Sequence, residues 1–149
     1  MGDKQACCKD FYVVQDIKEK VCYVAEDFTK ESGAALVSRD HDMEFLPPDN
    51  RTITIPGHTR IIVPELLFAP QLDGFSEDSL PKAIVASIAA TKMSAHASKF
   101  YGNIVLTGNS SRFPGLRTRL QSELKKLASG TEVNVMSFDD FKAWTGTMM

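Results

Sequence analysis

Three features of the 149-residue sequence predict an α/β fold. The first is a continuous apolar run, Ile104-Val105-Leu106, that enters a Gly/Asn/Ser loop and then a Pro-initiated amphipathic segment. The second is helical spacing of apolar residues from Phe11 onward, and the third is the alternating stretch Thr52-Ile53-Thr54-Ile55. Apolar residues that recur every three to four positions mark a helix, and strict alternation marks a half-buried strand.

The elements follow in chain order. Val13, Val14, Ile17 and Val21 share a helical stripe, and the composition of Val21-Cys22-Tyr23-Val24-Ala25 ends that helix near Lys20–Tyr23. A second short helix is expected within residues 26–42. Pro47-Pro48-Asp49-Asn50 is a turn between two β-prone runs, and Pro56-Gly57 is another. The two turns frame a small hairpin. Ile61-Ile62-Val63 reads as a short extended piece stopped by Pro64, with a helical turn at Pro64–Phe68. Ser79–Met93 is the clearest helix, with Ser79 as N-cap, Pro81 in the first turn and Ile84, Val85, Ile88 and Ala89 as its buried stripe. Ala95–Tyr101 adds a helical turn or two. Ile104–Leu106 suits a strand covered on both faces. Pro114 suits a first helical position, and Leu116, Leu120, Leu124 and Leu127 give the next helix its stripe. Glu132–Met136 is a further strand, and Phe141–Trp144 starts another. The strand–helix–strand order predicts a right-handed parallel crossover.

Composition excludes several functions. With 17 basic and 19 acidic side chains, the formal charge of −2 lacks the basic excess of a general nucleic-acid binder. No run of 18 apolar residues could form a membrane span, and the N-terminus lacks the apolar core of a signal peptide. Ala6 stands where a myristoylation motif requires Ser or Thr. Cys7, Cys8 and Cys22 are too few for a disulfide framework and imply a reducing compartment. His41, His58 and His96 lack metal-ligand spacing.

The loop at Gly108-Asn109 has two readings. Small residues between a strand and a helix can hold a phosphate, yet the loop matches neither GxxxxGK[ST] nor GxGxxG. Alternatively it is a turn that requires positive φ, for which both residues are suited. The acidic pairs Glu26-Asp27 and Asp139-Asp140 read as solvated or helix-start residues before catalytic ones. Arg112, Arg117, Arg119, Lys125 and Lys126 form a basic patch without interleaved aromatics, a solvated or partner-binding face.

Three segments, VVQDIKEKVCYVAEDF, RTITI…RIIVPELLFAPQLDG and NIVLTGNSSRFPGLRTRLQSEL, together resemble the C-terminal half of the actin and actin-related protein family. PKAIVASI and KFYGNIVLTG are more similar to actin-related proteins, with a lean toward the nuclear, chromatin-remodelling class. The resemblance implies a ribonuclease-H-like, actin-like ATPase fold, here one incomplete lobe. Its parts would be a flexible N-terminus (1–10), a mostly helical subdomain with a β-hairpin on the upper, cleft side (11–78), and a truncated sheet-plus-helix subdomain (79–149).

The resemblance further implies ATP or ADP with Mg in the full-length protein and none bound by this chain alone. The family's phosphate loops and water-positioning residues are expected to lie outside this sequence, so the chain is expected not to be an enzyme. By resemblance, Lys18 and Glu19 lie beside adenine and ribose, Gly108 and Asn109 fall on the family's Gly-Gly turn, and Arg112 and Phe113 flank the adenine. Asn109 departs from the second Gly and is expected to crowd the nucleotide. Asp140 falls where actin has an adenine-side Lys, a reversal of charge.

The expected role is an architectural or interaction subunit, nuclear or cytoplasmic, whose partners are complex subunits or other actin-like chains. A homodimer through an exposed sheet edge is also expected. A polymerising cytoskeletal actin-like protein is the alternative, and an ATPase of the wider superfamily ranks last.

Overall fold

The computed structural model describes residues 4–48, 50 and 52–137, with nothing stated of the side chains of residues 4–10 and 94. The chain divides into two compact units, Met1–Glu65 and Leu66–Met149.

The first unit is built on α1 (Lys4–Val21), α2 (Phe28–Val37), a hairpin of β1 (Met43–Phe45) and β2 (Ile53–Ile55), and α3 (Gly57–Glu65). α1 ends at Val21, inside the expected window, and begins at Lys4, ahead of the Phe11 where the apolar periodicity starts. Lys4, Gln5 and Ala6 are good helix formers, which lets the helix propagate toward the N-terminus. Val13, Ile17 and Val21 pack against Phe45 and Ile55, whereas Val14, expected in the same stripe, is 62% exposed. The hairpin is antiparallel with Met43 opposite Ile55 and Phe45 opposite Ile53, so all four side chains share one face.

Asp27 caps α2 by accepting the Lys30 N–H at 3.1 Å, while Glu31 reaches back to the Glu26 N–H at 2.9 Å. This reciprocal capping accounts for the Glu26-Asp27 pair as a helix start.

Residues 61–63 correct the sequence reading. They are helical, within α3, and Pro64 lies inside the same helix. Ile61 is fully buried among Ala25 and Ala35 while Val63, which would share its face in a strand, is 37% exposed. Proline has no N–H to give the carbonyl four residues earlier, here that of Arg60. That carbonyl instead accepts the Tyr23 N–H at 3.3 Å. Helix α3 starts under an acid as well, since the Gly57 N–H donates to Asp42 Oδ1 at 2.8 Å. Of the helical turn expected at Pro64–Phe68, Pro64 and Glu65 form the end of α3 and residues 66–68 continue as a turn, with a 3₁₀ turn following at Pro70–Asp73.

The Arg60 side chain fastens three segments together. Its Nε donates to the Val21 carbonyl at 2.9 Å, its Nη1 donates to the His41 carbonyl, and its guanidinium lies 5.2 Å from the centre of the Tyr23 ring. Ser32 Oγ and His58 Nδ1 share a hydrogen bond of 3.2 Å between α2 and α3.

The second unit holds α4 (Leu80–Ala90), a 3₁₀ turn at Ser94–His96, α5 (Ala97–Tyr101), β3 (Ile104–Leu106), a 3₁₀ turn at Asn109–Arg112, α6 (Leu116–Leu127) and β4 (Val135–Ser137). β3 and β4 pair in parallel, Ile104 opposite Val135, with α6 as the intervening helix. The core joins Leu120, Leu124 and Ala128 of the α6 side to Val133, Val135 and Tyr101, with Ile84, Val85 and Ile88 of α4 packed against it. Ser79 occupies the N-cap position of α4 but makes no side-chain cap bond, and Ala89 is exposed. Ala128 replaces Leu127 in the buried α6 stripe, because Leu127 is 47% exposed. Val105 is 44% exposed, so β3 is covered on one face only.

Residues 66–78, grouped with the hairpin in the sequence reading, cluster with the second unit. The Leu80 N–H donates to the Leu67 carbonyl at 2.8 Å, and Phe68 packs on the second core. Arg119 stacks 4.9 Å from the Phe68 ring centre and donates to Glu123 Oε1 at 2.9 Å, a position also held by Lys126 at 3.1 Å. Burial pushes the Glu123 carboxyl up, but the hydrogen bonds and charges of Arg119 and Lys126 outweigh it and hold the group below its ordinary value.

Two predictions follow from this packing. A Cβ added at Gly57 would sit 2.4 Å from His41 Cβ and 2.9 Å from the His41 carbonyl carbon. Ala favours a helix over Gly by only about 1 kcal/mol, less than the roughly 1–3 kcal/mol of forced overpacking. Gly57→Ala therefore lowers the unfolding free energy, read by urea denaturation. A lowered carboxylate pKa stabilises above its unfolded value and loses that contribution as pH falls through the folded value. Glu123→Gln should thus cost about 0.5–1 kcal/mol at neutral pH. In thermal melts, the gap between variant and parent should begin to narrow as pH falls below the ordinary carboxyl value of 4.5 and close once it has passed the lower value of the folded state.

Candidate functional site

The turn between β3 and α6 is closed by its own backbone. Gly108 takes φ +89°, a left-handed value open to glycine, and a Cβ built there meets nothing within 4 Å. Glycine is required here for its conformation, and the surface above it is open. The Gly108 carbonyl accepts both the Ser111 N–H at 3.2 Å and the Ser111 hydroxyl at 2.6 Å. The Phe113 N–H donates to the Ser110 carbonyl at 3.3 Å, and the Phe113 side chain is buried. Its carbonyl then accepts the Leu116 N–H at 3.1 Å, which leads the chain into α6.

Asn109, though suited to positive φ, does not take it; in this turn Gly108 does. It opens the 3₁₀ turn in ordinary right-handed geometry, so a side chain at this position carries no backbone strain. Pro114 also differs from its expected place. Gly115, in the left-handed region, is the N-cap of α6, which leaves Pro114 one residue before the cap instead of at the first helical position.

The turn presents its polar side chains outward. Asn109, Ser110 and Arg112 are exposed, and none makes a side-chain hydrogen bond or ion pair among the described residues. The other basic residues near this turn are differently engaged, with Arg119 and Lys126 both on Glu123.

Lys18 and Glu19 belong to the first unit, on the last turns of α1. Lys18 is half-buried and adds its positive charge beside Cys22, whereas Glu19 is exposed and accepts from Gln15 Nε2 at 2.8 Å. Burial pushes the free Cys22 thiol up, against the opposing charges of Arg60 and Lys18. Gly108, Asn109, Arg112 and Phe113 thus share one turn of the second unit, and Lys18 and Glu19 share one helix of the first. Asp139, Asp140 and Trp144 lie outside the described residues.

Sequence reasoning did not find Arg60, whose three attachments organise the first unit, because a single Arg in IPGHTRIIVPE carries no spacing signal. Nor did it find the Arg119–Phe68 stack. Among the described residues, no group of three His, Cys, Asp or Glu side chains could hold a metal ion, and no helix is long and apolar enough to cross a membrane.

A family model described as Actin matches residues 1–149. The chain is 36% identical over 118 residues to actin-related protein 2 of Caenorhabditis briggsae, which covers 79% of this chain and 30% of the relative. It is 35% identical over 134 residues to actin-related protein 2 of Acanthamoeba castellanii, with 87% of this chain and 34% of the relative covered. The chain therefore spans about a third of the length of these relatives. The match over all 149 residues, with the helices and two small sheets arranged as a partial α/β structure, shows that this chain belongs to the actin family and carries part of its ATPase fold.

Proposed function

We propose that this chain acts as a non-catalytic, architectural or interaction part of an actin-related protein, and that in the whole protein it supplies the base-side wall of a nucleotide cleft. The observation that carries this reading is the 108–113 turn. Its glycine conformation leaves an open surface, its ends are pinned by Ser111 and Phe113, and its polar side chains face outward. A base needs a wall of this kind, with a fixed backbone and few competing internal bonds. Within this turn, Gly108, Asn109, Arg112 and Phe113 are the residues that would lie against the adenine. Bound ATP and Mg would supply the phosphoryl chemistry, and this chain's residues would orient the base.

Two facts support a role without turnover. The turn fits neither phosphate-cradling fingerprint, and neither fingerprint occurs elsewhere in the 149 residues. As for class, both relatives are named actin-related protein 2, and neither name refers to chromatin. The chromatin-remodelling and nuclear reading consequently rests on PKAIVASI and KFYGNIVLTG alone. Cysteine usage supports a reducing compartment.

Partner binding is the interaction part of the role. Both sheets have only two strands, so every described strand presents an edge, an opening for pairing with another chain. A second reading, a polymerising actin-like protein, is favoured by one observation. Leu72 and Phe75, in or beside the PELLFAPQLDG segment that the resemblance assigns to filament contacts, are 48% and 52% exposed.

Calorimetry on the purified chain should show no micromolar ATP binding, and a phosphate-release assay should stay at the blank. Micromolar affinity or turnover would refute the non-catalytic reading. Light scattering should show apparent mass rising with concentration, and a constant monomer mass would count against edge-mediated association.

A further inference from the structure

We propose that the groove formed by α4, α5 and β3 docks an acidic amphipathic helix of a partner protein. This assigns a surface and a partner class to the interaction role proposed above, and it involves neither the 108–113 turn nor strand pairing.

Helix α4 is apolar on every side except at Lys82 and Ser87, a pattern that belongs to a helix covered all round. Here only one side is covered. Leu80, Ile84, Val85 and Ile88 pack on the second core, and Pro81 is the helix's one buried residue. Ala83 and Ser87 stay exposed beside Ile84 and Ile88. With Phe100 of α5 and Ile104 of β3 they line an open groove of about 410 Å³, in which Ser87 alone is polar. The Phe100 ring, 37% exposed, is its largest side chain.

The geometry of α4 selects a helix as the occupant. Ala83 with Ser87, and Ile84 with Ile88, are two rows spaced by four residues, and a second helix lays its own ridge between such rows. The backbone groups of α4 are bonded within the helix, so an added strand would find no ladder along it. A docked helix would meet the groove with apolar side chains at i, i+3, i+4 and i+7.

Charge sets the chemistry of its other face. Residues 79–122 contain no Asp or Glu, although the whole chain has a formal charge of −2. All three elements of the groove lie within that stretch. Lys82 and Lys99 adjoin the lining residues Ala83 and Phe100 in sequence, and Lys92 follows α4. None of the three makes a side-chain hydrogen bond or ion pair among the described residues. The apolar groove thus sits in a positive field without local counter-charge, and its complement is an apolar stripe flanked by acids.

The test is fluorescence anisotropy of a labelled, designed helical peptide of about 15 residues, titrated with the 149-residue chain. The peptide carries Leu at i, i+3, i+4 and i+7 and Glu on its remaining face. Binding should saturate in the micromolar range and weaken about threefold or more between roughly 50 and 300 mM salt. The Glu→Gln peptide should bind about fivefold or more weakly. In the chain, Ala83→Glu at its exposed helix position should weaken the acidic peptide about tenfold or more, with unchanged circular dichroism. The pair Lys82→Glu and Lys99→Glu, which leaves the groove itself intact, should produce a comparable loss.

Equal affinity for the Glu and Gln peptides would overturn the proposal, and so would equal affinity for an acidic peptide without the leucines. Preference for vesicles of anionic lipid over the peptide would overturn it in favour of a membrane face. No peptide binding, with self-association abolished by Ala83→Glu, would overturn it in favour of a second copy of this chain. No binding of any kind would overturn it outright. None of these results alters the ATP calorimetry, so a failure here is distinct from a failure of the base-side wall.

Discussion

The carbonyl of Gly108 is the point on which the second unit turns. Two donors from Ser111 converge on it, in a turn whose first residue, Gly108, takes the positive φ that glycine adopts without strain. The chain then leaves β3, completes a short 3₁₀ turn, buries Phe113 and enters α6 in the register that places Leu116, Leu120 and Leu124 in the interior. With α6 so placed, Val133 and Val135 close the core and β4 lies parallel beside β3. A side chain at residue 108 would strain the turn without meeting any neighbour, so the constraint is conformational and not one of space. The outward face of the same turn is thereby left open.

The first unit depends on a comparable economy of backbone groups. Pro64 inside α3 leaves the Arg60 carbonyl unclaimed within the helix, and Tyr23 takes it. The Arg60 side chain in turn satisfies the carbonyls of Val21 and His41, while Tyr23 packs under its guanidinium. An Arg that bonds backbone carbonyls and covers an aromatic ring is not replaceable by Lys, whose ammonium lacks the planar fork. Gly57 completes the arrangement by letting α3 start directly against His41, with Asp42 on its first N–H.

Much of the fold was legible in the sequence, and the exceptions have physical causes. α1, α4 and α6 carry long, regular apolar spacing, and the apolar run of β3 followed by Gly108 marks a strand entering a turn. α3 was misread because Ile61-Ile62-Val63 has strand-like composition and Pro64 looks like a stop. Tertiary burial of Ile61, and a distant donor for the freed carbonyl, decide otherwise. The turn itself was half legible. Gly108 does need positive φ, whereas Asn109 does not, since one left-handed residue suffices to reverse the chain. Val105 reads as doubly covered from its neighbours, yet the two-stranded sheet leaves one of its faces open. For the candidate site, periodicity and composition identified the strand–turn–helix context. The expectation that Lys18, Glu19, Gly108, Asn109, Arg112 and Phe113 are nucleotide-binding came from family resemblance, since they are far apart in sequence and share no spacing signal.

Photolabelling tests the base-side wall most directly. The whole actin-related protein that contains this chain would be irradiated with an 8-azidopurine nucleotide, digested, and the modified peptides identified by mass spectrometry. The account predicts label on the peptide that contains residues 108–113, removable by an excess of unlabelled purine nucleotide. Competable label confined to other segments, with residues 108–113 unmodified, would contradict it.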